Sequence, residues 1–171
     1  MIDLSVIIPV FNESANIPLL YSRLKNVVSN IVSDYEIIFV NDGSSDNSIE
    51  LIKKISSEDK RIKYIDLSRN FGHQIAVSAG IDMANGKAIV IIDADLQDPP
   101  ELISQMYEKY KEGNEVVYAK RRARKGESAF KLLTAKLFYR ILSSLTSINI
   151  PLDTGDFRII DRKIADVLKL M

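Results

Sequence analysis

The sequence predicts an α/β domain, a mostly parallel sheet with helices on both faces. Three observations lead there. Short β-branched runs alternate with helix-length stretches down the first two-thirds of the 171 residues. Several of these runs are apolar on both faces, as strands covered on both sides should be. Four successive runs end in polar clusters: Pro9 to Glu13, Asn41 to Asp46, Asp66 to Asn70 and Asp93 to Pro100.

The strand candidates are Leu4 to Ile8, Tyr35 to Val40, Ile62 to Leu67, Ala88 to Ile92 and Glu115 to Ala119. The opening MIDLSVIIPV lacks a basic leader and a small-residue cleavage site, so it reads as a first strand stopped at Pro9 rather than as a signal peptide. One helix is expected from near Ser14 past Val28, and a second after Ser45 and Asp46, residues suited to capping the turn before Ile49, Leu51 and Ile52. A third spans Gln74 to Met83. The fourth opens at Pro99 and Pro100, where a missing N–H forfeits no intrahelical bond. Right-handed crossovers put the strands' C-terminal ends on one edge, and open α/β sheets bind ligands there.

Composition narrows the chemistry. Lys+Arg 23 balance Asp+Glu 23, which argues against a nucleic-acid partner. With no cysteine and one histidine, thiolate and multi-histidine metal sites are excluded. A metal must be held by oxygen, which favours Mg or Mn. No run reaches the roughly 18 apolar residues of a spanning helix. The length fits a single domain, residues 1–171.

DADLQDPP is the most informative stretch. Asp93 and Asp95 stand two apart where a strand leaves the sheet, and in extended backbone they share a side. With Gln97 and Asp98 near, they form an oxygen-ligand pocket for a divalent cation that would neutralise a departing diphosphate. The plainer reading is a polar turn in which Asp98 caps the next helix. NDGSSD reads as a turn and cap, and also as a carboxylate, Asp42, at the ligand edge for a base or ribose. Glu13 and Asp66 have weaker versions of the same claim. KRRARK, Lys120 to Lys125, is a solvated surface or a set of guanidinium groups for phosphate oxygens. His73, at a helix start after Gly72, reads as a packing or hydrogen-bonding residue, not a catalytic one. In TGDFR, Asp156 and Arg158 project together from extended backbone, and Asp156 is the candidate carboxylate for the acceptor. Phe130, Leu133, Leu137, Phe138, Ile141, Leu142 and Leu145 share one helical face, either core or a membrane-surface helix with Lys131, Lys136 and Arg140 at lipid phosphates.

Taken in order, IIPVFNE, VNDGSSDNS, RNFGHQIAVSAG, DADLQDPPE, RRARKGES, FYR and DTGDFRIIDR resemble the family 2 inverting glycosyltransferases over nearly the whole chain. DADLQDPPE and TGDFR resemble in particular the polyprenyl-phosphate branch, undecaprenyl-phosphate glucosyltransferases and dolichyl-phosphate mannose synthases. The resemblance implies a GT-A fold, a nucleoside-diphosphate sugar donor of the UDP-glucose or GDP-mannose type, and Mg or Mn. It implies a nucleotide-binding part over about residues 1–98 and an acceptor-side part over about 99–171. It maps Asp95 to the metal, Asp93 to ribose or metal, and Gln97 to a further ligand. Pro9, Phe11, Glu13, Asp42 and Asp66 map to the nucleotide pocket; Arg121, Arg124 and Arg158 to phosphate handling; and Asp156 to the base. The implied acceptor is a polyprenyl phosphate at the cytoplasmic face of the cell membrane, and the implied assembly a homo-oligomer. Two departures stand out. Ala119 occupies a position where members often carry glycine. Bacterial members also continue into C-terminal membrane helices, so a catalytic part cut before them at Met171 is expected.

The implied reaction is direct displacement at the anomeric carbon with inversion. A phosphate acceptor, already ionised near neutrality, hardly needs a base, whereas a hydroxyl would need Asp156 to take its proton. Two other readings compete: a family 2 transferase acting on a glycan hydroxyl in surface polysaccharide synthesis, and a non-catalytic nucleotide-binding or phosphoacceptor regulatory module.

Overall fold

Six strands and five helices make up the described residues, 2–120 and 154–170, of the computed structural model. In chain order they are β1 Leu4–Val10, α1 Ile17–Ser29, β2 Tyr35–Asn41, α2 Ser48–Glu58, β3 Ile62–Asp66, α3 His73–Met83, β4 Ala88–Ile91, α4 Leu102–Lys111, β5 Val116–Lys120, β6 Thr154–Asp161 and α5 Arg162–Leu168. The sheet order is β3-β2-β1-β4-β6-β5, with β1 to β4 mutually parallel and β6 antiparallel to β4. The sheet is mostly parallel and alternates with helices along the chain, as expected. Two compact units divide the chain, residues 1–118 with 156–171 and residues 119–155; every pocket residue below belongs to the first.

Pro9 does not stop β1, which continues to Val10. Backbone groups of residue 7 face β4, since Ile92 N donates to Ile7 O, and alternation turns Pro9 the same way. The β4 pairing ends at Ile7, so the proline withholds its N–H where no partner strand remains. Every residue of β1 and β2 is buried, as in strands sandwiched between helix layers. Helix α3 lies close on this sheet because Gly80 has no side chain: a Cβ there would stand 2.3 Å from Ile7 Cγ2. Ile7, Ile38, Val40, Ala76, Val77 and Ile81 form that interface.

β6 is the element least anticipated. The sequence suggests a turn and a few extended residues around TGDFR, whereas an eight-residue strand inserts between β4 and β5. Ile91 pairs with Arg158, and continuing that antiparallel register sets position 156 opposite 93. The N-terminal end of β6 therefore meets the C-terminal ends of the parallel strands.

At the other edge of the sheet, Glu36 is buried at the start of β2. It accepts from Ser5 Oγ at 2.6 Å and from Asn85 N at 2.7 Å, and Lys63 Nζ lies 2.6 Å from its second oxygen. Burial pushes this carboxyl up, but Lys63, Ser5 and Asn85 outweigh it and hold the group below the usual range. The helix at 130–145 read from the sequence lies outside the described residues, and among those described no helix is long and apolar enough to cross a membrane.

Candidate active site at the strand exits

Three loops build the ligand edge by bonding to one another. After β1, Asn12 takes a left-handed φ of 57°. Its backbone N–H donates to Ser44 Oγ at 3.0 Å and its side-chain Oδ1 accepts from Ser45 N at 2.8 Å. Glu13 N donates to Ser48 Oγ, and Ser14 N to Asp46 Oδ2, both at 3.0 Å. Asp46 also accepts from Ser48 N through its other oxygen at 3.0 Å. Burial alone would raise the Asp46 carboxyl, but the Ser48 and Ser14 donors hold it at about 2. So Asp46 works as the loop-organising acid of NDGSSD, while the cap position of α2 falls to Asn47.

Asp42 acts one loop further on. It is buried, and its two oxygens accept from Phe71 N at 2.8 Å and Gly72 N at 3.0 Å. Gly43, with φ of 64°, lets the β3 exit press against this turn; a Cβ there would stand 2.3 Å from the Arg69 carbonyl carbon. The second strand exit thereby fixes the third, including the first residue of α3, His73.

These loops enclose an open pocket of about 310 Å³, the size of a small-molecule site. Pro9, Phe11, Glu13 and Asp42 line one part, Asn70, Gly72 and His73 another, and Asp93 and Asp95 a third. Phe11 is 48% exposed, a free aromatic face beside the acids. Glu13 Oε2 accepts from Asn16 Nδ2 at 2.6 Å. Asp66 does not line the pocket; it accepts from Asn41 Nδ2 at 2.8 Å and lies 3.6 Å from Lys53 Nζ. Gln97 is exposed, and its backbone N–H donates to Asp95 Oδ1 at 3.0 Å across a turn in which Leu96 has a φ of 60°. Asp98 is buried, and the cap position of α4 is Glu101. Arg121 and Arg124 lie outside the described residues.

The most telling contacts join three residues from three elements. His73 Nε2 lies 3.1 Å from Asp156 Oδ2 and 3.7 Å from Asp93 Oδ1. Arg158 Nη1 stands 3.8 Å from the other Asp156 oxygen. Asp93 Oδ1 is buried with no hydrogen-bond partner. Burial raises the Asp93 carboxyl; His73 works against that rise, and Asp156, Asp95 and Asp98 add to it. A buried carboxylate oxygen that accepts no hydrogen bond, on a residue lining the pocket, fits a site for a cation. Among the described residues no group of three or more His, Asp or Glu side chains gathers closely enough to hold a metal alone. Sequence reasoning passed over Asn70 and set His73 aside as a packing or hydrogen-bonding residue. The available signal was RNFGHQ, a polar run against a glycine at a helix start.

The family model described as Glycosyl transferase family 2 matches residues 5–168. The uncharacterized glycosyltransferase YkcC of Bacillus subtilis is 59% identical over 168 residues, covering 98% of this chain and 52% of that protein. A prophage bactoprenol glucosyl transferase homolog of Escherichia coli is 37% identical over 168 residues, 98% of this chain and 55% of its own length. The chain thus spans about half the length of these relatives. Among solved structures, glucosyl-3-phosphoglycerate synthase from Mycobacterium tuberculosis, in complex with Mn2+, UDP and phosphoglyceric acid, superposes with a TM-score of 0.67. It is 20% identical and is matched over 95% of this chain and 56% of that one.

Proposed function

The chain belongs to glycosyl transferase family 2, and from that premise we propose that it carries the donor site of a metal-dependent inverting hexosyltransferase. The donor is a nucleoside-diphosphate sugar, and the acceptor a polyprenyl phosphate at the cytoplasmic face of the membrane. The observation that carries the reading is the buried Asp93 Oδ1, which accepts no hydrogen bond, on a residue that lines the pocket with Asp95. Asp93 and Asp95 would hold a divalent cation, Mg or Mn, which stabilises charge on a leaving diphosphate. Two protein carboxylates are too few for a closed metal cage, but they suit an ion that completes its shell with phosphate oxygens and water. The Mn2+ and UDP named with the mycobacterial synthase support this assignment. The bactoprenol glucosyl transferase relatives support the lipid-phosphate acceptor.

The residues divide the work. Pro9, Phe11, Glu13 and Asp42 shape the nucleotide end, with Asp66 acting through Asn41 at its rim. Arg158, with Arg121 and Arg124, handles phosphate, and Gln97 holds the Asp95 turn as a further ligand or support. Asp156 orients the acceptor, since an ionised phosphate needs no proton removed. The test offers UDP-glucose or GDP-mannose, with Mn2+, to a short polyprenyl phosphate in detergent and separately to a glycan hydroxyl. Product on the lipid phosphate, with most turnover kept by Asp156→Asn, is the expected result. Product only on the hydroxyl, abolished by Asp156→Asn, would replace the acceptor assignment and make Asp156 a general base. No product on either, with no nucleotide-sugar binding, would remove the enzymatic reading.

A further inference from the structure

Resting on that reading of the pocket, we infer that His73 is the positioning residue that holds Asp156 in place at the acceptor side. Asp93 lies two residues past β4 and Asp156 on the neighbouring β6, where the paired register, continued, sets them opposite one another. Two carboxylates so placed repel, so holding Asp156 beside Asp93 needs a group that answers its charge. The imidazole of His73 stands between them, 3.1 Å from Asp156 Oδ2 and 3.7 Å from Asp93 Oδ1. Arg158 approaches the opposite Asp156 oxygen at 3.8 Å, so the carboxylate is held from two sides.

His73 is itself well supported. Buried Asp42 grips the amides of Phe71 and Gly72 immediately before it. Gly72 takes a φ of 100°, which fixes the direction in which α3 departs. Gly80 then seats the helix hard against β1. An exposed side chain anchored through a buried acid and two glycines is placed more firmly than a surface histidine needs to be. Its role follows from placement: with Nε2 3.1 Å from Oδ2, the ring restrains one side of Asp156 and leaves the other face for the acceptor. Losing it frees Asp156 to swing away from Asp93.

Since the chain has one histidine, its imidazole nitrogens can be read by NMR without ambiguity. In metal-free protein, at a pH where imidazole is neutral, the Nε2-protonated tautomer should dominate, and Asp156→Ala should redistribute it. An Nδ1-protonated ring in the unmodified chain, or nitrogen shifts indifferent to Asp156→Ala, overturns the inference. In the transfer assay with UDP-glucose and Mn2+, His73→Ala should lower kcat about tenfold with donor KM unchanged. His73→Gln, whose amide nitrogen falls near the Nε2 position, should restore most of the loss. The double variant His73→Ala/Asp156→Ala should be no worse than Asp156→Ala alone. Losses that multiply, or a His73→Ala effect confined to donor KM, refute the role. If the unmodified chain transfers nothing, the functional reading falls while the tautomer measurement still decides whether His73 holds Asp156.

Discussion

Two carboxylates at opposite ends of one sheet, Glu36 buried whole and Asp93 buried at one oxygen, have opposite surroundings. Glu36, at the edge where the parallel strands begin, has donors from Ser5 and Asn85 and the Lys63 ammonium beside it, and its carboxyl is held low. Each acid keeps one buried oxygen that accepts no hydrogen bond. At Glu36 the Lys63 ammonium stands 2.6 Å from it, whereas at Asp93, just past β4, the His73 ring comes to 3.7 Å and the carboxyl is raised. Both acids follow from the same layering of helices on a sheet. Only one has had its electrostatics completed by the protein. The completed acid serves folding, and the incomplete one is the place for a ligand that brings positive charge.

Separating the two acids experimentally is the strongest way to break this contrast. Asp93→Asn should weaken metal-dependent UDP-glucose binding on the order of a hundredfold, roughly 2.8 kcal/mol, while the metal-free fold is at least as stable as before. A melting temperature that falls sharply would place Asp93 with Glu36 instead. Glu36→Ala should do the reverse. It strands Ser5, Asn85 and Lys63 and costs about 3 kcal/mol of unfolding free energy by urea titration, with donor affinity of the folded fraction unchanged.

A third variant tests the stitching that holds the pocket. Gly43→Ala puts a Cβ at a positive φ and against the Arg69 backbone, and should cost about 2 kcal/mol. Donor binding should weaken with it, because Asp42 and the 71–72 amides lose their register.

The pH dependence sharpens the comparison by sign. The folded pKa of Glu36 lies below its unfolded value, so its contribution is present above the ordinary glutamate range and fades as pH falls through the folded value. The gap between Glu36→Gln and the unmodified chain should therefore close on acidification. For Asp93 the folded pKa is raised, so its carboxyl favours folding only when protonated, and that help is lost as pH rises. Any gain in Asp93→Asn, measured with a chelator present, should appear near neutral pH and vanish in acid. The smallest effect is expected far from either acid: Arg23→Ala removes a bidentate but exposed pair with Glu101 and should cost about 0.5 kcal/mol.

Much of this was legible in the sequence. Period and composition give β1 to β4 and the helices between them to within a few residues, because double-sided burial writes continuous apolar runs. Polar residues at four strand exits locate the ligand edge for the same reason. β6 escaped because pattern marks an element, not its neighbours: nothing in TGDFRIID says it will lie between β4 and β5 and run antiparallel to β4. That insertion brings Asp156 to Asp93, so the His73 bridge was equally hidden. Asp42 and Asp46 look alike as acids in one turn. Their tasks differ through partners some 30 residues away, Ser14 for one and the 71–72 amides for the other.

The central claim is that the β4 exit is an incomplete carboxylate site finished by a cation and a diphosphate. Calorimetric titration of UDP-glucose into the chain, with Mn2+ and then with chelator, tests it most directly. Binding that requires Mn2+ and is lost on chelation is the predicted result. Equal affinity with and without the metal would contradict it.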